Sequence, residues 1–152
     1  MQMDQDSPDS GLILSQEEIS CACSGTLPEL AIEGLELFNA HEYFEAHESL
    51  ETAWRQEPGP IRELYRGILQ VSVAYYHLLR RNYPGARKVF QRCHKWLDPY
   101  PDLCRGIDLA GFRKDYLRVE AEVIRLGPDH LGDFNPLLLK HIQFQSVDEK
   151  RS

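Results

Sequence analysis

The sequence has no apolar run approaching the roughly 20 residues that a membrane-spanning helix requires, so no span is expected anywhere in it. It has no excess of positive charge either. Lys and Arg total 17 against 24 Asp and Glu, and the net charge of −7 argues against a nucleic-acid backbone or an anionic membrane as the main partner. Missing too are a glycine-rich phosphate loop, a serine in a strand-to-helix elbow, and any sustained period-two alternation. Those gaps remove nucleotide-loop and hydrolase-elbow chemistry and leave no need for strands. The opening residues Met1-Gln2-Met3-Asp4-Gln5-Asp6 carry neither the positive start nor the long apolar stretch of a secretory signal, so a cytoplasmic setting is expected. Cysteine is sparse. Cys21, Cys23, Cys93 and Cys104 read as reduced thiols in that compartment, and the Cys21-x-Cys23 pair lacks the second closely spaced pair that a soft metal site needs.

What is present is one domain's worth of chain, 152 residues with 42% hydrophobic and 27% charged, enough to bury a core without staples. Residues 1–26 are rich in Asp, Ser and Gly around a single apolar patch, Leu12-Ile13-Leu14, and read as a mobile acidic arm. From Leu27 the pattern turns helical, with Pro28 suited to a first helical position and Leu30, Ala31, Leu35, Leu37 and Phe38 recurring at helical spacing until Asn39-Ala40-His41. A second helix is predicted from about Glu42 to Arg55, stopped by Pro58-Gly59-Pro60. The third, Ile61 to about Arg81, is apolar on more than one side and so belongs at the centre. Asn82-Tyr83-Pro84-Gly85 turns into a fourth helix ending at Asp98-Pro99-Tyr100-Pro101, and a fifth runs from about Asp108 to Leu126 before Gly127-Pro128. The apolar Phe134 to Leu139 stretch should dock back on the body, while residues 146–152 read as a disordered tail.

A weak internal repeat accompanies this pattern. Glu42-Tyr43-Phe44-Glu45-Ala46-His47 stands 40 residues before Asn82-Tyr83-Pro84-Gly85-Ala86-Arg87, each copy a tight turn followed by a helix with a small alanine. The expected fold is therefore all-α: residues 27–145 as a single domain, a compact bundle of about five to six helices built from two helical hairpins, loosely tetratricopeptide-like. Arg80, Arg81, Arg87, Lys88, Arg92 and Lys95 gather in one region and read as a solvated helix face, with a local anion or protein contact as the alternative. Tyr65, Tyr75, Tyr76, Tyr83, Phe90 and Trp96 fall at helical spacing and read as core, and Cys93-His94, adjacent on one helix, point to different sides and do not form a dyad.

Chemistry concentrates in Phe44-Glu45-Ala46-His47-Glu48-Ser49-Leu50-Glu51-Thr52-Ala53-Trp54. At about 100° per residue, Tyr43, Ala46, Leu50, Ala53 and Trp54 share one arc, the core face, while His47 and Glu51 stand one turn apart on its shoulder and Glu48 turns further toward solvent. If the next helix packs antiparallel, Gln70 and His77 face that ridge. Two functions follow. In one, these residues form a satisfied polar network that shapes a binding or scaffolding module for a protein or small-molecule partner. In the other, His47, Glu51 and His77 hold a divalent metal and Glu48 acts as general base in metal-assisted hydrolysis, an arrangement near to the zinc-protease helix but with Glu51 in the second ligand position.

The segment from Phe38 to Trp54, with Gly67-Ile68-Leu69-Gln70, Ala74-Tyr75-Tyr76-His77 and Asn82-Tyr83-Pro84-Gly85-Ala86-Arg87, resembles domain-of-unknown-function family 309, small all-α proteins of bacteria and plastids. The resemblance covers roughly Leu30 to Tyr100. It implies a compact helical bundle, places Glu45, His47, Glu48, Glu51, Trp54, Gln70 and His77 on the family's characteristic positions, and admits the plastid stroma beside the cytoplasm. It implies no activity.

Overall fold

The computed structural model describes residues 15–145. The arm before residue 15 and the tail from 146 onward, both named above, lie outside the described residues. Among the described residues six helices follow one another: α1 Gln16–Cys23, α2 Glu29–Asn39, α3 Tyr43–Gln56, α4 Arg62–Leu79, α5 Tyr83–Leu97 and α6 Leu109–Leu126. Between α5 and α6 lies a two-stranded antiparallel ladder, β1 Leu103–Cys104 and β2 Ile107–Asp108. Short 3-10 turns at Leu131–Asp133 and Pro136–Leu138 follow α6. The fold is an all-α bundle in which α2 pairs with α3, α3 with α4, and α4 with α5. The small ladder, with an isolated bridge from Ile107 to Phe144, departs from the strand-free expectation; registers this short leave no alternating pattern in the sequence.

The internal repeat is visible atom for atom in the turns. After α2, His41 takes a left-handed backbone (φ 64°), its N–H donates to Phe38 O at 3.0 Å, and Glu42 N–H donates to Leu37 O at 2.9 Å. After α4, Arg81 does the same (φ 59°), with Arg81 N–H to Leu78 O at 2.9 Å and Asn82 N–H to His77 O at 2.8 Å. This pairing of a 6→1 with a 5→2 bond closes the last helical turn, and side-chain-bearing residues rather than glycine occupy the left-handed position in both copies. Ala46 and Ala86, the small residues of each copy, are fully buried.

α4 is the central helix, buried without a break from Leu64 to Tyr75. Two glycines set how closely its neighbours approach. A methyl group on Gly34 would stand 2.5 Å from Leu50 Cγ, between α2 and α3, and one on Gly67 would stand 2.5 Å from Leu97 Cγ, between α4 and α5. The core gathers an aromatic group in which Phe38 meets Tyr43, Tyr75 and Phe112 at ring separations of 5.1, 5.5 and 5.8 Å. The chain after α6 docks back as expected: Leu131, Phe134, Leu139 and Ile142 are buried, and the Asn39 amide holds Ile142 by accepting from its N–H (2.8 Å) and donating to its carbonyl (3.0 Å).

Two expectations are corrected near the N-terminus. Residues 16–23, read from composition as part of a mobile arm, form α1, started by a capping box in which Ser15 Oγ accepts from Glu18 N–H (3.0 Å) and Glu18 accepts from Ser15 N–H (2.9 Å). Cys23 and Cys104, read as reduced thiols, are joined in a disulfide across 81 residues of sequence. Arg105 completes the attachment, its backbone N–H donating to Cys23 O (2.8 Å) and its guanidinium to Ala22 O (2.6 Å) and Thr26 O (2.9 Å). An eight-residue helix with one buried side chain, Ile19, has too little apolar contact to order itself, so these tethers supply what its composition lacks.

Candidate functional site

α3 and α4 run antiparallel. Phe44 meets Tyr76 at a ring separation of 5.5 Å near one end, and near the other the Arg66 guanidinium lies 4.6 Å from the Trp54 ring centre. His47, Glu51 and Trp54 stand at successive turns of one α3 face along this seam.

His47 is 6% exposed. Its Nδ1 lies 3.2 Å from Phe44 O, so in the neutral ring that nitrogen carries the proton and donates it to the carbonyl. Nε2 faces Glu51 Oε1 at 3.5 Å, beyond hydrogen-bond length, and is buried without a hydrogen-bond partner among the described residues. Glu51 is shared: its other oxygen accepts from Arg55 Nη2 at 2.7 Å. The expected His47–Glu51 pair is therefore a 3.5 Å contact rather than a short hydrogen bond. Glu48 is exposed, as its place on the helix requires, and Glu45 is exposed in the first turn of α3. Gln70 is 2% exposed in the middle of α4.

His77 is not brought to this ridge. The α3–α4 register that sets Phe44 beside Tyr76 carries position 77 past the start of α3, about one helical turn away from His47. There the His77 ring accepts from Asn82 Nδ2 at 3.0 Å, in the turn that repeats the one at His41. Burial, aided by the positive charge of Arg80, holds the imidazole below its ordinary range. The three-ligand set His47, Glu51 and His77 is accordingly corrected. No group of three or more His, Cys, Asp or Glu side chains among the described residues is placed to hold a metal ion.

Trp54, expected on the core face, is half-buried at its edge and carries the feature that sequence reasoning missed. Arg66, 4% exposed, lies with its guanidinium carbon 4.6 Å from the Trp54 ring centre and 4.0 Å from that of Trp96 on α5. Arg62 sits 4.6 Å from the Trp54 ring, and Lys95 Nζ sits 4.7 Å from the Trp96 ring. The order Lys95, Trp96, Arg66, Trp54, Arg62 alternates cation and indole across α5, α4 and α3, with Glu63 Oε1 3.1 Å from Arg66 Nε. Lys95 is exposed, in keeping with the solvated basic face assigned to it, and its ammonium lies over Trp96, which is half-buried rather than core. The Trp54 indole Nε1 is buried and has no hydrogen-bond partner among the described residues. The available signal was Arg66 itself, a cation at the head of an apolar helical run.

Cys93 and His94 do not cooperate. Burial pushes the Cys93 thiol far up and its Sγ donates to Phe90 O at 3.3 Å, while His94 pairs with Glu120 on α6 at 3.0 Å.

The α3–α4 seam lies within a segment that matches a family model, whereas Lys95 and Trp96 fall beyond it. Residues 31–89 match the family model described as "Domain of unknown function (DUF309)". The uncharacterized protein YpuF of Bacillus subtilis (strain 168) is 41% identical over 64 residues, which cover 41% of this chain and 37% of that protein, so the match spans less than two-fifths of the relative's length. No helix among the described residues is long and apolar enough to cross a membrane.

Proposed function

We propose that this chain, which carries a DUF309 segment over residues 31–89, is a binding module that receives a protein or small-molecule partner along the polar seam of α3 and α4. One observation carries the reading: His47 Nε2 and Trp54 Nε1, two turns apart on one face of α3, are buried polar atoms without a hydrogen-bond partner among the described residues. Leaving such a group unpaired costs on the order of 1–3 kcal/mol, a cost that a bound partner removes. The indole N–H can only donate, so the partner offers it an acceptor. The imidazole, with Nδ1 turned to Phe44 O, offers Nε2 as an acceptor when neutral and as a donor to Glu51 or to the partner when charged. The Arg66–indole stack fixes the Trp54 ring, and Gln70, one turn along α4 from Arg66, is buried. A cytoplasmic setting belongs to this proposal, and there the Cys23–Cys104 bond must withstand a reducing thiol pool.

The indole resonance of Trp54 is the reporter. With ¹⁵N-labelled protein and fractionated cell extract, a binding fraction should move that resonance, and His47→Phe should weaken the response. A Trp54 indole that already shows a persistent water hydrogen bond and that no fraction moves would contradict the proposal.

A further inference from the structure

A concave site lies beside the seam, at the mouth formed by the start of α3 and the end of α4. This cavity of about 340 Å³ is lined by Phe44, Tyr76 and Leu79 together with His41, Glu42 and Glu45. Phe44 and Leu79 are 40% and 48% exposed, placing two of the large apolar side chains exposed among the described residues in one hollow. The Phe44 and Tyr76 rings stand 5.5 Å apart at 46°, presenting two inclined aromatic faces rather than a flat stack. Tyr76 already takes a cation, since the Arg80 guanidinium lies 5.4 Å from its ring centre. The carboxylates of Glu42 and Glu45 are exposed at the rim, and neither forms an ion pair or hydrogen bond among the described residues.

Inclined aromatic faces attract a cation through their quadrupoles, and two carboxylates that no internal cation neutralises add attraction of the same sign. A chain of net charge −7 favours the approach of a positive ligand from a distance. The volume lies at the small end of the range for small-molecule sites, and the exposed Phe44 and Leu79 leave apolar area for a compact hydrocarbon body.

We propose that this cavity binds a small organic ammonium ion, its charged head over Phe44 and Tyr76 and its countercharge supplied by Glu42 and Glu45. The site is distinct from the Trp54 seam, although Phe44 touches both: its ring lines the cavity and its carbonyl meets His47 Nδ1. The two sites therefore fail independently. His47→Phe disturbs the seam while every residue lining the cavity and an aromatic ring beside Phe44 are kept, whereas changes at Glu42 and Glu45 leave His47 untouched.

The test uses choline and its uncharged carbon isostere 3,3-dimethylbutan-1-ol, titrated into the full chain while the aromatic ring resonances are followed. Choline should shift the Phe44 and Tyr76 signals saturably and bind about tenfold more tightly than the isostere, as expected for one cation–π contact with nearby carboxylates. The Glu42→Gln/Glu45→Gln pair, both exposed and so compatible with folding, should lose most of that preference, and Phe44→Leu should do so with the carboxylates intact. Equal binding of choline and isostere would overturn the proposal, as would the absence of a saturable shift up to decimolar choline. Binding of a lysine-bearing peptide where choline does not bind would overturn it too, assigning the face to a protein partner.

Discussion

The guanidinium carbon of Arg66 lies 4.6 Å from the centre of the Trp54 ring, so α4 and α3 are clamped near the α3–α4 connection by a buried cation on an aromatic face. Trp54 thus does more than fill space: it fixes Arg66, which reaches Trp96 on its other side. Trp54→Ala should destabilise the fold by about 2–4 kcal/mol, below the most buried tryptophans because the ring is half-exposed, and Trp54→Phe should cost about 1 kcal/mol. Combining Trp54→Ala with Arg66→Met should cost less than the sum of the two single changes by about 1 kcal/mol in urea melts. Strict additivity would show that the stack contributes no coupling.

The five helices α2 to α6 and their order were legible because apolar residues recur at helical spacing and Pro or Gly stands at most ends, whereas α1 was not. The central place of α4 followed from an apolar surface wider than one stripe. The helical wheel also put His47 and Glu51 together correctly, since residues four apart on one helix meet whatever lies around them. It failed for His77, because a wheel gives a residue's direction and not its height against a neighbouring helix; that height is set by the connection from Glu57 to Ile61 and by the Phe44–Tyr76 contact. The left-handed turns at His41 and Arg81 carry no glycine to announce them. The Cys23–Cys104 pairing is a tertiary event over 81 residues that no spacing rule encodes.

That disulfide should matter to α1 more than to the rest. The Cys23→Ser/Cys104→Ser pair should lower global stability by about 2–4 kcal/mol, the typical loss for a long closed loop. Amide exchange should show protection falling first in residues 16–23, where a single side chain is buried. Mass spectrometry of alkylated, non-reduced protein should show two modifiable thiols, the exposed Cys21 and, after unfolding, the buried Cys93. Four alkylated thiols in protein purified without reductant would contradict the bond.

His77 should give the fold a measurable acid sensitivity. Burial, with Arg80 adding to it, lowers its proton affinity in the folded state. The unfolded chain therefore binds more protons, and the contribution of His77 to stability is complete above the unfolded value near about 6.5 and is lost as pH falls toward the folded value. Denaturant midpoints at about pH 7.5 and about pH 5.5 should differ less in His77→Gln, which keeps an acceptor for Asn82, than in the native chain. An identical pH dependence in the two proteins would show that His77 titrates as a free imidazole.

The central claim is that the buried His47 and the partly exposed Glu51 are coupled across their 3.5 Å contact, and a double-mutant cycle on that pair measures it most directly. His47 is 6% exposed and faces Glu51 at 3.5 Å, so His47→Ala and Glu51→Ala should each cost about 1–3 kcal/mol as the remaining partner loses its counterpart. The double change should cost less than the sum by at least about 0.5 kcal/mol, with the same result in chelator-treated and Zn²⁺-supplemented buffer. Small, additive losses would contradict the coupling and reduce the stripe to an acidic helix face, and a coupling seen only with added metal would return His47 and Glu51 to the role of metal ligands.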